Sequence, residues 1–159
     1  MTQTELTAVA GQPVITVTRE FDAPAELVYR TYTDPALIPE WWGPDEYTTD
    51  VEVMEVRHGG RWRFVQTAED GGQHAFHGVY HDAVPGERIV QTFEYEGAPG
   101  HVLLETMRFT DLGGRTRVTG TSVFQSLEDR DGMIAAGMEA GAVRSYERMA
   151  ELLVKVPVD

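Results

Sequence analysis

The sequence predicts an α+β domain in which a curved antiparallel sheet of six to seven strands wraps a long C-terminal helix. Three observations carry this reading. Six segments between residues 47 and 124 have the length and alternation of strands and are separated by short glycine- or proline-bearing turns. One further strand pattern and two helix-start signals precede them. Beyond Ser126 the apolar period changes from that of a strand to that of a helix.

Val14 to Phe21 (VITVTREF) alternates apolar and polar residues and is rich in β-branched side chains, which predicts a strand. Asp22-Ala23-Pro24 then signals a helix start, with Asp22 as acceptor for orphan N–H groups and proline in the first turn. This helix should run through Leu27, Val28 and Tyr32 and stop near Thr33. Asp34-Pro35 repeats the signal for a second short helix through Leu37 and Ile38 towards Trp41-Trp42. The strands expected next are Thr48–Val56, Arg61–Thr67, His74–Asp82, Arg88–Tyr95, Val102–Thr110 and Thr116–Phe124. Their short connections imply an antiparallel meander, because parallel neighbours need long crossovers. Ser126, followed by Glu128, Asp129 and Asp131, places a cap and negative charge at a helix N-terminus. Ile134, Met138, Gly141, Ala142, Ser145, Met149, Leu152 and Leu153 then share one face. Pro157 should end this helix after roughly 25 residues, about 35 Å. The small residues Gly141, Ala142 and Ser145 near its middle either admit a closely approaching strand or leave space.

The chain has 159 residues, a usual size for one domain. A flexible lead-in is expected over residues 1–12 and a single domain over 13–156. With 26 acidic and 13 basic side chains the net charge is −13, which disfavours phosphate backbones and anionic bilayers as partners. The absence of cysteine excludes disulfides, thiolate catalysis and cysteine-ligated metal, and suits a reducing cytoplasm. The N-terminal segment lacks the basic and apolar regions of a secretory signal, and no apolar run approaches the roughly 20 residues that span a bilayer.

Few residues point to chemistry. Leu103, Met107 and Phe109 share a strand face that should look inward, and Glu105 lies on that face. A carboxylate among apolar side chains is costly unless paired or protonated, which makes Glu105 a candidate site residue. The alternatives are a hydrated strand end or a structural arginine partner; Arg63 would be that partner only if the register placed Trp62 and Phe64 outward. If Phe76 faces inward, so do His74 and Tyr80, which become candidate acid–base groups beside Glu105. His77 and His81 are four apart on a strand, roughly 13 Å, too far for one metal ion, so no metal site is expected. No phosphate-binding or dinucleotide-binding glycine motif and no GxSxG is present, and no cofactor is expected. The aromatic residues are the stronger signal: Trp42, Trp62, Phe64, Phe76, Tyr80 and Phe93, with Met107, Met138 and Ser145, would line a small-molecule cavity in which Glu105 fixes orientation.

The phrases REFDAPAELVYRTYTDPALIPEWWGP, GGRWRF, FHGVYHDAVPGERIVQTFEYEG, ETMRFTDLGGRTRVTGTSVF and GMEAGAVRSYERMAELL occur in order from Val17 to Leu153. In this the chain resembles the SRPBCC (START/Bet v-like) superfamily, specifically the heat-shock-protein-90 ATPase activator homologue branch. The resemblance implies a helix-grip (START-like) fold with a cavity between the sheet and the last helix. It also implies relatives that bind hydrophobic ligands, cyclise polyketides or stimulate a chaperone. Three functions follow as expectations. The first is binding of a small hydrophobic, aromatic or lipid-like molecule. The second is a cofactor-independent enzyme of cyclase or aromatase type. The third is a chaperone-ATPase-activator-like interaction module, which the lack of a separate chaperone-engaging N-terminal domain disfavours. A homodimer is the default oligomer.

Overall fold

Alternating apolar residues with β-branched neighbours build eight antiparallel strands within residues 3–157, the residues that the computed structural model describes. The strands are β1 (Glu5–Thr7), β2 (Val14–Phe21), β3 (Tyr47–Met54), β4 (Arg61–Ala68), β5 (Gln73–Val84), β6 (Arg88–Tyr95), β7 (Val102–Asp111) and β8 (Thr116–Val123). They form one sheet in the order β1-β2-β8-β7-β6-β5-β4-β3. The six strands from β3 onward are therefore a meander, while β2 joins its far side next to β8. Helices α1 (Ala25–Thr33) and α2 (Ile38–Trp41) span the connection between β2 and β3, from one side of the sheet to the other.

Three expectations are corrected. The strand count is eight, because Glu5–Thr7, placed in a flexible lead-in, pairs with Thr16–Thr18 of β2 and satisfies that strand's outer backbone groups. Residues 1 and 2 of that lead-in lie outside the described residues. Asp22 does not cap α1. Pro24 occupies the cap position without a side-chain bond, and the Asp22 carboxylate accepts from Arg115 Nε at 2.7 Å. The C-terminal helix is divided into α3 (Leu127–Ala135) and α4 (Met138–Lys155). Gly137 between them has φ +95, a left-handed conformation that ends a helix and that glycine adopts without Cβ strain. With the helix interrupted there, Ile134 is 36% exposed instead of on the buried face. Ser126 caps α3 as expected, accepting from Asp129 N at 3.0 Å.

The core lies between the inner face of the sheet and α1, α2 and α4. Phe21, Ile89, Met107, Phe109 and Val118 from the strands share it with Leu27, Val28 and Ile38 and with Met149, Leu152 and Leu153 of α4. Burial of such side chains supplies about 1.5–3 kcal/mol each relative to exposure. Trp62 is in this core at 2% exposure, and its indole N–H donates to Thr92 O at 3.1 Å. Gly78 makes that possible, since a Cβ there would stand 1.9 Å from Thr92 O and 2.5 Å from Trp62 Nε1.

Candidate functional site

The inner face is not filled along its whole length. Where α4 carries Met138, Gly141, Ala142 and Ser145, a cavity of about 340 Å³ opens between helix and sheet. Its volume suits a small organic ligand. Trp42, Phe64, Phe76 and Phe93 form much of its wall. Trp42 meets Phe64 and Phe76 edge-on, with ring centres 5.1 and 5.2 Å apart, so the wall is held by aromatic packing. The loop after α2 closes one side. Gly43 N donates to Ser145 Oγ at 3.2 Å, Arg148 donates to Gly43 O at 2.7 Å, and Arg144 pairs with Asp45 at 2.7 Å.

Register places a row of polar side chains on the inner face. Tyr80 of β5 pairs with Gln91 of β6, Gln91 with Glu105 of β7, and Glu105 with Ser122 of β8. Residues opposed in this way stand about 5 Å apart. Gln91 Nε2 donates to Glu105 Oε1 at 3.2 Å. Burial pushes the Glu105 carboxyl up to about 7, and the Gln91 bond opposes that shift without cancelling it. Above the row, Tyr32 of α1 donates its hydroxyl to that of Tyr146 on α4 at 3.0 Å. Burial raises both phenols above their ordinary range, and Glu105 lies close enough for its charge to add to the effect. Gln66 of β4, also on the wall, has its Nε2 buried without a hydrogen-bond partner.

Most of the residues expected at a site meet here: Trp42, Phe64, Phe76, Tyr80, Phe93, Glu105, Met107, Met138 and Ser145 all line the cavity. Two do not. Trp62 stands behind the wall, packed on Trp42, Phe64 and Phe93. His74 shares the inward face but sits six residues along β5 from Tyr80, roughly 20 Å at the rise of a strand. There its Nδ1 bonds the Tyr95 hydroxyl at 2.6 Å and its ring abuts Tyr47. Arg63 is on the outer face, paired with Glu52 and with Glu96 at 2.8 Å, and does not meet Glu105. His77 is also outward, 2.9 Å from Glu96 and 3.3 Å from Glu94.

Tyr32, Gln66, Gln91 and Tyr146 are lining residues that the sequence reading did not single out. A signal existed for three of them. Gln91 alternates with Ile89 and Phe93, Gln66 with Phe64, and Tyr146 falls four residues after Ala142 and three before Met149. Among the described residues no Lys, Arg or His lines the cavity, and no group of three or more His, Asp or Glu is placed to hold a metal ion. A second cavity of about 420 Å³ lies between the β6–β7 connection and α3, with Phe93 in the walls of both. No helix of the described residues is long and apolar enough to cross a membrane.

The sequence model of the protein family described as Activator of Hsp90 ATPase homolog 1-like protein matches residues 22–154. Solved structures share the fold. A protein from Arthrobacter aurescens superposes with a TM-score of 0.88 at 25% identity, covering 96% of this chain and 92% of that one. A Rhodobacter sphaeroides protein gives 0.88 at 22% identity over 97% and 100%. DynU16, a protein of the dynemicin biosynthetic locus, gives 0.70 at 19% identity over 89% of this chain and 47% of its own. No functionally curated protein matches the chain.

Proposed function

The chain belongs to the Activator of Hsp90 ATPase homolog 1-like family of SRPBCC-type domains, and we propose that it binds a small, mostly apolar molecule between the inner face of the sheet and α4. The observation that carries this reading is the unfilled space itself. Aromatic walls surround one desolvated carboxyl, with no cationic side chain among the described lining residues. A structural core would close such a gap with larger side chains, since interiors pack as densely as organic crystals. Glu105 orients the ligand, and Trp42, Phe64, Phe76, Phe93, Met107 and Met138 supply the apolar contact. The binding unit is a single domain that includes β1, acting without a cofactor in the cytoplasm, a reading supported by the absence of cysteine.

Native mass spectrometry of protein purified from its own host tests this directly. An excess mass that leaves on denaturation is the expected result. Ser145→Trp fills the cavity and should abolish uptake in a folded protein; undiminished uptake by that variant would overturn the reading.

One observation favours a second reading, cofactor-independent acid–base catalysis. A carboxyl raised to about 7 is matched to proton transfer near neutral pH. Glu105 would be the base and Tyr80 a candidate acid, with Glu105→Gln losing turnover about 10²- to 10⁴-fold while retaining binding. Stimulation of a chaperone ATPase, the activity in the family's name, is separated from both by titration of the chain against such an ATPase.

A further inference from the structure

The tyrosine pair has a direction that the cavity can use. Tyr32 is packed between Trp41 and Phe109, with ring centres 5.0 and 5.3 Å away, and its hydroxyl makes one hydrogen bond, donated to Tyr146. A phenol has one proton and two lone pairs. The Tyr146 oxygen therefore already accepts, while its own proton finds no acceptor among the described residues. Tyr146 lines the cavity, and its hydroxyl stands over β8, 3.8 Å from where a Cβ on Gly120 would be. Gly120 is two residues before Ser122, the cross-strand partner of Glu105. Glu105 in turn receives one hydrogen bond, from Gln91 on Oε1, and Oε2 has none among the described residues. The cavity thus holds an unspent donor and an unspent acceptor on facing elements, α4 and β7.

We propose that Tyr146 and Glu105 together recognise a single hydroxyl group of an uncharged alcohol or phenol, with Tyr32 fixing the direction of the Tyr146 proton. The proposal rests on the ligand-binding reading above and narrows its ligand class. A hydroxyl accepts from Tyr146 and donates to Glu105, so one group satisfies both. A ketone accepts from Tyr146 but brings no proton to the carboxylate. An ammonium brings protons but leaves the Tyr146 proton without an acceptor. A carboxylate sets a second negative charge beside Glu105 with no lysine, arginine or histidine in the described lining to offset it. Tyr32 also lines the cavity, and its hydroxyl is a positioning group that acts on the ligand through Tyr146.

The test is a calorimetric titration at pH 8 with five naphthalenes of one shape: 2-naphthol, 2-methylnaphthalene, 2-acetylnaphthalene, 2-naphthylmethylamine and 2-naphthoate. 2-Naphthol should bind at least about tenfold more tightly than 2-methylnaphthalene, whose methyl group neither donates nor accepts, the difference expected for a hydrogen bond to a charged group. Tyr146→Phe and Glu105→Leu should each remove most of that preference. Their affinity for the hydrocarbon should stay within about twofold, and this also reports that each variant is folded. Tyr32→Phe should lower the preference about threefold and leave the hydrocarbon unaffected, a change that a merely structural role for Tyr32 does not produce. Equal binding of naphthol and hydrocarbon, a preference that survives Tyr146→Phe, or tightest binding of the ketone, amine or carboxylate overturns the proposal while leaving ligand binding intact. Failure of all five to bind overturns both readings.

Discussion

The two halves of α4 face the same sheet and finish it differently. In the C-terminal half, Met149, Leu152 and Leu153 are buried in one core with Phe21, Phe109 and Val118. In the N-terminal half, Gly141, Ala142 and Ser145 face Trp42, Phe64 and Phe76 across open space. Helix and sheet are continuous through both regions, so side-chain volume along one helical face decides where the interior is core and where it is cavity. The closed half holds the fold together. The open half is set by the small helix residues Gly141, Ala142 and Ser145.

The largest expected difference lies in the closed half. Met149 is fully buried, and Met149→Ala should lower stability by about 3 kcal/mol, measured by urea denaturation. A loss below about 1 kcal/mol would break the distinction between the halves. The next effect concerns pH. Glu105 sits near 7 in the folded state against an ordinary value of 4.5, so the unfolded chain loses this proton first as pH rises. The group's contribution is therefore fully present below about 4.5 and declines as pH climbs through 7, by about 3 kcal/mol at most. The neighbours facing it are Gln91, Ser122, Tyr32 and Tyr146, none of which carries a charge in that window. Glu105→Gln should flatten the stability profile between pH 4.5 and 7; an unchanged slope would place the origin of that dependence elsewhere. The smallest effect on stability should come from the open half. Ala142→Leu adds volume where there is room, so stability should move by less than about 1 kcal/mol while uptake of 2-naphthol falls at least about tenfold.

Two carboxylates sharpen the same contrast across the thickness of the sheet. Glu96, just beyond β6 and on the outer side, is held down at about 2 by Arg63 and then by His77. Glu105, on the inner face of β7, is pushed the other way by burial with only a neutral amide beside it. Identical side-chain chemistry yields a structural ion pair on one face and a titratable site group on the other.

The sequence alone determined which residues could be inside. Period-2 alternation put Glu105 in line with Leu103, Met107 and Phe109, and Trp62 in line with Phe64. Helical spacing put Gly141, Ala142 and Ser145 on the face of Met149. Glycine and proline punctuation marked the turns of the meander. These are local properties, fixed by backbone geometry over a few residues. What the sequence did not carry was which inward residues meet. That Gln91 bonds Glu105 depends on cross-strand register, and that Tyr32 bonds Tyr146 depends on two helices 114 positions apart in the chain. The same limit explains Trp62, inward but screened by Trp42 and Phe64, and His74, inward but far along its strand. Alternation assigns a face, whereas depth and distance across that face are set by the packing of the whole sheet against α4. The division of the last helix lies between these cases. Gly137 was visible in the sequence, but whether a glycine interrupts a helix or is carried within one is decided by what the segments on either side pack against: here Arg130 of α3 is tied to Val9 O and Gln12 O, while α4 lies over the cavity and the core.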